Sequence, residues 1–354
     1  MSTTNATIVI KRDDVVIDAE GRVVGHEAGD TLVRRLLRIF PGSVLVGPVA
    51  RRGEDFDVLP LGMLDPGTSV VINMDVLDSP HVYQVMGAGS GRPRIMNFVW
   101  SALPSGHDEA STATAALSCA LFPTFANSER TATEIRELVR RWTVPHLAEK
   151  ARLAWVNLGF RLEHIQPRSP ADPPVVLYPA IYLSRNKRPE VFLEVVGRAR
   201  KQVPLKVEMR LHESHLISER AMEISRRDWV WVGPLTATRL SYWQALARTT
   251  AFLATAQEET YGLLYVEALG AGVIGVLPDR AWARALVPEG YPFIYGDAAQ
   301  AERMLVRALR EPEACRRELD ACAGGSFCEW IAAHHSDDAF DKAVSHRVRE
   351  WFGG

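Results

Sequence analysis

The sequence predicts an α/β chain of two domains, each an open and mostly parallel sheet with helices on both faces, the pair facing a central cleft. Three observations predict it. The chain has 354 residues, beyond the size at which one hydrophobic core keeps growing, so two domains of roughly 170 residues each are expected. Short β-branched runs alternate with amphipathic helical stretches along the whole length. A segment with four prolines, from Pro167 to Pro174, interrupts that alternation near the middle and reads as a linker.

In the first half, residues 7–10, 43–46, 69–73, 94–99 and 154–157 read as strands. Residues 15–17 and 22–24 read as a hairpin around Gly21. Residues 31–40 and 129–142 carry the helical period, and the first of these stops at Pro41-Gly42. The most apolar stretch, residues 113–126, contains Pro123 and is too short to span a bilayer, so it reads as a buried helix-to-strand passage. In the second half, residues 175–183, 205–211, 229–232, 251–256 and 273–277 read as strands. Residues 189–201, 241–248, 262–270 and 298–310 read as helices, and the chain ends in a polar helical stretch. The expected division is 1–167 for the first domain and 168–330 for the second, with a helical tail, 331–354, that can pack back on the first. In open sheets of this kind, ligands bind outside the carboxyl ends of the strands.

Composition narrows the function classes. Hydrophobic residues make up 47% and charged residues 24%, ordinary for a soluble globular chain. A net charge of −2 gives no global basic field for nucleic acid or anionic membrane. The first ten residues lack the basic and apolar regions of a signal peptide, and no transmembrane segment is expected. Four cysteines in so long a chain are not a disulfide framework, which suits a reducing cytoplasm. Cys315, Cys322 and Cys328, with His334 and His335 beyond, can be drawn as a metal site, but their spacing departs from that of paired zinc knuckles, and reduced thiols on or between C-terminal helices are the plainer reading.

The most informative stretch runs from Ala251 to Pro278. A strand enters the polar loop Gln257-Glu258-Glu259-Thr260, and a helix starts near Gly262. Between Thr260 and Pro278 the only charged residue is Glu267, costly in so apolar a helix unless it is hydrogen-bonded. Eight residues of helix rise about 12 Å, whereas paired carboxylates that cut a glycosidic bond stand roughly 5–9.5 Å apart. Glu259 and Glu267 suit instead an elongated ligand with a polar group at each end and an anion between. The amides at the helix start, with Gly262 allowing close backbone approach, can hold that anion. A nucleotide diphosphate sugar has this layout. The bland alternative is a solvated Glu259 and a Glu267 satisfied by its neighbours.

The run from Ala254 to Gly272 resembles the E-x7-E signature of glycosyltransferase family 4, the retaining GT-B enzymes. It keeps an aromatic-Gly-Leu step at Tyr261-Gly262-Leu263 and a Glu-Ala-x-x-x-Gly continuation from Glu267. The phrase from Asn157 to Pro167 looks like the family's domain junction. Gly233 and Tyr242-Trp243 look like its segment before the signature strand. The likeness holds from about Trp155 to Asp297 and is weak before that. It implies two Rossmann-like domains and a nucleotide diphosphate sugar, UDP- or GDP-linked, as donor. It implies that Glu259 contacts the donor sugar, that residues 261–263 with Thr260 and Gly233 line the donor site, and that Glu267 binds the ribose.

Ser184-Arg185-Asn186-Lys187-Arg188 follows a strand, and Pro189 opens a helix. Three cations at a helix N-terminus oppose the helix dipole unless an anion sits there; the alternative is a solvated basic loop. By the resemblance Lys187 contacts the donor diphosphate. The family's arginine position is Tyr182 here, which leaves Arg185 or Arg188 to serve.

The first domain is less legible. Gly25-His26-Glu27-Ala28-Gly29-Asp30 stands where the family carries a Gly-Gly loop, so Gly29 and His26 are acceptor-side candidates, and Asp30 can equally be a plain helix cap. Trp100 stands where the family tends to place a histidine; His81 and His107 are alternatives. The helix 129–142 is basic on one side through Arg130, Arg136, Arg140 and Arg141, either a solvated face or a surface for an anionic acceptor.

The sequence therefore reads as a retaining glycosyltransferase, hexosyl or pentosyl, with no prosthetic group and no essential metal. The resemblance implies that the leaving phosphate takes the acceptor proton and that no carboxylate acts as nucleophile. The acceptor (glycan, lipid, small molecule or nucleic acid) and the oligomeric state stay open. Another GT-B chemistry, such as a nucleotide-sugar epimerase, and a non-catalytic nucleotide-sugar-binding protein are the alternatives. A nicotinamide enzyme is disfavoured, because no strand is followed by G-x-G-x-x-G.

Overall fold

A computed structural model describes residues 6–25, 28–87, 91–103, 108–160, 162–235 and 239–353. The chain divides into two compact units, Met1–Asn157 with Asp338–Gly354, and Leu158–Asp337.

The first unit contains an eight-stranded sheet. Its strands are β1 (Thr7–Lys11), β2 (Val44–Val46), β3 (Arg51–Arg52), β4 (Asp57–Leu59), β5 (Ser69–Asn73), β6 (Arg94–Val99), β7 (Thr124–Ala126) and β8 (Leu153–Trp155). They lie in the order β3-β4-β2-β1-β5-β6-β7-β8. Every pairing is parallel except β3 with β4. The sequence expectation of a 15–24 hairpin reduces to one antiparallel bridge, Ile17 with Val23. β5 is buried at all five positions, the continuous apolar run of a strand covered on both faces. One core layer packs Val9, Val44, Val71, Val82, Met86 and Ile95; another packs Val99, Cys119, Ala126, Ile135 and Val139. The 113–126 stretch is the end of helix Glu109–Leu121 followed by β7.

The second unit contains β9 (Val175–Tyr178), β10 (Lys206–Leu211), β11 (Val230–Pro234), β12 (Thr249–Leu253), β13 (Ile274–Pro278) and β14 (Ile294–Tyr295). The order is β11-β10-β9-β12-β13-β14 with all pairings parallel. Counted along the unit this is 3-2-1-4-5-6, the doubly wound Rossmann order, which reverses between its first and fourth strands. The first unit repeats the pattern, reversing between β1 and β5. β9 is shorter than the expected 175–183, because the chain leaves the sheet after Tyr178.

The unit boundaries differ from the sequence division in two places. Residues 158–167, assigned by sequence to the first domain, belong to the second unit. Phe160 stacks on Trp243 at 5.9 Å, and its ring covers Gly270, where a Cβ would come within 2.2 Å of it. Residues 331–337 also belong to the second unit, whereas the rest of the tail joins the first. In the first unit, helix Asp337–Phe352 sets Phe340 against Phe98 at 5.8 Å and Phe125 at 6.2 Å. Asp341 accepts from Arg35 Nε at 3.0 Å and Arg38 Nη2 at 2.8 Å. The Pro167–Pro174 segment is pinned by Arg168, whose guanidinium donates to the carbonyls of Leu246, Ala271 and Thr249. Burial lowers that guanidinium to about 10.

Candidate functional site

β9 and β12 are the neighbours at which the second sheet reverses its order. The chain leaves β9 and passes through residues 179–188 before helix Pro189–Arg200. It leaves β12 and passes through residues 254–262 before helix Leu263–Gly270. Both loops therefore start from one point of the carboxyl edge, where doubly wound sheets bind ligands.

Asn186 joins the loops. Its Nδ2 donates to the Glu258 carbonyl at 2.8 Å, its Oδ1 accepts the Glu258 amide at 3.0 Å, and its carbonyl accepts the Gln257 amide at 2.9 Å. Thr255 Oγ1 donates to the Lys187 carbonyl at 2.7 Å. These bonds set Lys187 against Glu259, and Lys187 Nζ donates to Glu259 Oε1 in an ion pair largely withdrawn from solvent. Tyr265 Oη donates to the same carboxylate oxygen at 2.8 Å. Burial first, and then the neighbouring Glu259 charge, push the Tyr265 phenol well above its usual range, so it stays a donor.

Two left-handed residues shape the loop ends. Gly262 has φ +85°, and a Cβ there would lie 2.7 Å from Tyr265 Cδ2, so only glycine fits the turn into helix Leu263–Gly270. Arg188 has φ +48° immediately before Pro189. A non-glycine residue held there costs about 1–3 kcal/mol, the kind of strain that functional loops retain. The Arg188 side chain is half-buried, and its charge reaches the Tyr295 phenol, which burial raises to about 12. Arg185 is exposed.

Glu267 is 1% exposed and is not without a partner. Tyr261 is buried and turned to a histidine of the chain's last third: its Oη meets His335 Nδ1 at 2.5 Å. Thr260 and Leu263 are half-buried at the same turn. Gly233 stands apart from this group, on the edge strand β11, two strands from β9. The Trp231 ring occupies the space a side chain there would need, 2.2 Å from the position of a Cβ, and faces Arg210 at 5.0 Å.

In the first unit, Gly29 lies in the first turn of helix Ala28–Ile39. A Cβ there would lie 2.4 Å from Arg12 Cζ, so the glycine makes room for Arg12, which pairs with Asp30. Arg12 lies 5.3 Å from the Trp100 ring centroid, and Trp100 Nε1 donates to the Met74 carbonyl at 3.0 Å. Gly29 and Trp100 are thus brought together around Arg12. His26 and His107 lie outside the described residues; His81 is exposed. Beside this group, Lys11 at the end of β1 meets Asp13 at 3.0 Å, Asp75 at 3.0 Å and Asp78 at 2.6 Å. Lys11 was not singled out by sequence, although a lysine closing an otherwise apolar strand was a usable signal. Tyr265 was missed as well and reads as an ordinary core residue, while His335 drew notice only beside the three C-terminal cysteines and not for Tyr261; their hydrogen bonds distinguish both.

Among the described residues no cluster of three or more His, Cys, Asp or Glu side chains is placed to hold a metal ion. The sequence does carry an Asp-x-Asp, Asp55-Phe56-Asp57, and it sits at the exposed β3–β4 turn, on the amino edge of the first sheet and opposite the Lys11 edge. On the helix Glu129–Trp142, Arg130 pairs with Glu134, while Arg136, Arg140 and Arg141 are exposed. No helix among the described residues is long and apolar enough to cross a membrane.

No protein-family profile matches the chain, and no curated protein matches it in sequence. Solved structures match its fold over nearly the whole length. The sucrose-phosphate synthase of Thermosynechococcus elongatus is 15% identical with a TM-score of 0.69, over 98% of this chain and 99% of that one. The α,α-trehalose 6-phosphate synthase of Burkholderia multivorans is 12% identical with a TM-score of 0.71, over 98% and 96%. Anabaena HepE, solved with UDP and glucose, is 13% identical with a TM-score of 0.70, over 98% and 100%. The chain therefore has the GT-B fold of two Rossmann-like domains.

Proposed function

We propose that this protein is a retaining glycosyltransferase, moving a sugar from a UDP- or GDP-sugar to an acceptor hydroxyl. The observation that carries the reading is the Lys187–Glu259 pair, formed where the second sheet reverses its order and beside the glycine-started helix Leu263–Gly270. HepE, which shares the fold, was solved with UDP and glucose.

In this reading the donor diphosphate takes the Lys187 ammonium in competition with Glu259. Arg185 or Arg188 and the amides at the start of helix Leu263–Gly270 supply further positive potential. Glu259, released from Lys187 and still bonded by Tyr265, faces the sugar hydroxyls, with Thr260, Tyr261, Gly262 and Leu263 forming the wall between sugar and phosphate. Glu267 serves the ribose. The chain's contribution to the reaction is then placement of the donor and stabilisation of charge on the departing diphosphate. The leaving phosphate takes the acceptor proton, and no metal is required.

Calorimetric titration with uridine, guanosine and adenosine diphosphates and their sugars tests the donor half. One nucleotide should bind, and Lys187→Ala should weaken it; no binding by any of them sinks the reading. NMR of the turnover mixture separates the rest. A retained anomeric configuration in a product glycoside supports transfer. Donor conversion without an acceptor indicates an epimerase, and binding with neither transfer nor hydrolysis indicates a non-catalytic protein.

A further inference from the structure

His335 follows helix Phe327–His334 and is 1% exposed. Its Nε2 faces the Leu286 carbonyl at 3.2 Å, which can only accept, so Nε2 carries the proton. Nδ1 is then an acceptor and takes the Tyr261 hydroxyl hydrogen. Burial pushes the imidazole down to about 4, which keeps it in this neutral, one-donor form at ordinary pH. The Tyr261 and His335 rings also meet edge-on at 5.7 Å.

The backbone of His335 makes a third connection. Its carbonyl accepts the Phe160 amide at 3.1 Å, and Phe160 forms a parallel bridge with Ser336. Gly159 is pressed against that bridge, where a Cβ would lie 2.2 Å from the Ser336 carbonyl carbon. These residues flank the two points, after Asn157 and after Asp337, at which the chain passes between units. One buried residue thus touches the loop that starts helix Leu263–Gly270, the Leu286 segment and both crossover segments.

We infer that His335 is a positioning residue, through which the Tyr261 loop and the paired crossover segments around Phe160 and Ser336 are held as one piece. The inference deepens the donor-site reading above and rests on it for its ligand. His335 contributes two bonds to the link, accepting the Tyr261 hydroxyl at Nδ1 on one side and the Phe160 amide at its carbonyl on the other. An occupied donor loop then restrains the crossovers, and a broken Tyr261–His335 bond weakens their tie to the loop.

Hydrogen exchange read by mass spectrometry on the full chain tests this. Without ligand, Tyr261→Phe should speed exchange of the Phe160 amide peptide at least tenfold, with β12 unchanged. His335→Asn, which keeps an acceptor toward Tyr261, should speed it less than His335→Ala. If His335→Ala does not fold, Tyr261→Phe and His335→Asn decide alone. With uridine or guanosine diphosphate, whichever binds, wild type should gain protection in both the Tyr261 and the Phe160 peptides. Tyr261→Phe should gain it only in the first. Unchanged Phe160 exchange in ligand-free Tyr261→Phe overturns the inference. A wild-type chain that binds no nucleotide overturns the donor reading instead, and the ligand-free comparison still decides the role of His335.

Discussion

Each sheet presents a lysine at the carboxyl edge where its strand order reverses, Lys11 in the first unit and Lys187 in the second, and the surroundings treat the two differently. Lys11 ends a strand, is 4% exposed and is bonded by three carboxylates, Asp13, Asp75 and Asp78. The hydrogen bonds it donates to those carboxylates outweigh its burial and raise the ammonium well above its usual range. Lys187 lies in a loop, is bonded by the single carboxylate Glu259, and has Arg185 and Arg188 beside it at a helix start. The same strand order therefore carries a lysine outnumbered by its carboxylate partners on one edge and a lysine paired with one carboxylate, beside two arginines, on the other. Fold supplies the place for a ligand, and the local charge balance selects which edge suits an anion.

The largest effect that sharpens this contrast is expected on acidification, and it falls on the second unit. His335 is held near pKa 4 when folded, against about 6.5 when unfolded, so below 6.5 the unfolded chain binds the extra proton. The stability it secures is whole above pH 6.5 and is lost as pH falls toward 4, by about 3 kcal/mol for this group. Urea unfolding of wild type and His335→Asn at pH 7 and pH 4.5 measures it; the variant should lose less.

Next is Lys11→Met, which leaves three carboxylates facing one another. It should destabilise the chain by about 2–3 kcal/mol, below the full cost of breaking a buried pair because the carboxylates keep some water. Nucleotide affinity should not change. Lys187→Ala should do the reverse, weakening diphosphate binding about ten- to a hundredfold, a loss of about 1–3 kcal/mol typical of a charge-assisted contact. If Lys11→Met abolishes binding in a folded protein while Lys187→Ala does not, the assignment of the two edges is inverted. Gly262→Ala should cost about 1–2 kcal/mol, since its φ of +85° and the nearby Tyr265 ring both resist a methyl group. The smallest effect is expected for Arg140→Glu with Arg141→Glu. Both are exposed, so stability should stay within about 0.5 kcal/mol. Only salt-dependent acceptor binding should respond, and its persistence would mark that helix as a plain solvated face.

Much of the second unit was legible in the sequence because its signals are local. β12, the polar loop and helix Leu263–Gly270 follow from an apolar run, a cluster of polar residues and a glycine at the turn. Helix Ala298–Arg310 there, and helix Glu129–Trp142 in the first unit, carry their period and caps in the residues themselves: the side chains of Asp297 and Ser128 accept the first-turn amides of Gln300 and Thr131. Lys187 was legible as a cation before Pro189. Its contact with Glu259 was not, since 72 residues separate them and only the adjacency of β9 and β12 brings them together.

By itself the sequence determined the alternation of strands and helices, the place of the Glu259 loop and the cationic loop before Pro189, because period, caps and turn residues act over a few positions. Tertiary structure alone decided that Glu259 holds Lys187, that Lys11 meets Asp75 and Asp78, and that His335 holds Tyr261. Each of these joins residues far apart in the chain, and no local propensity encodes which strands become neighbours or which buried polar groups satisfy one another.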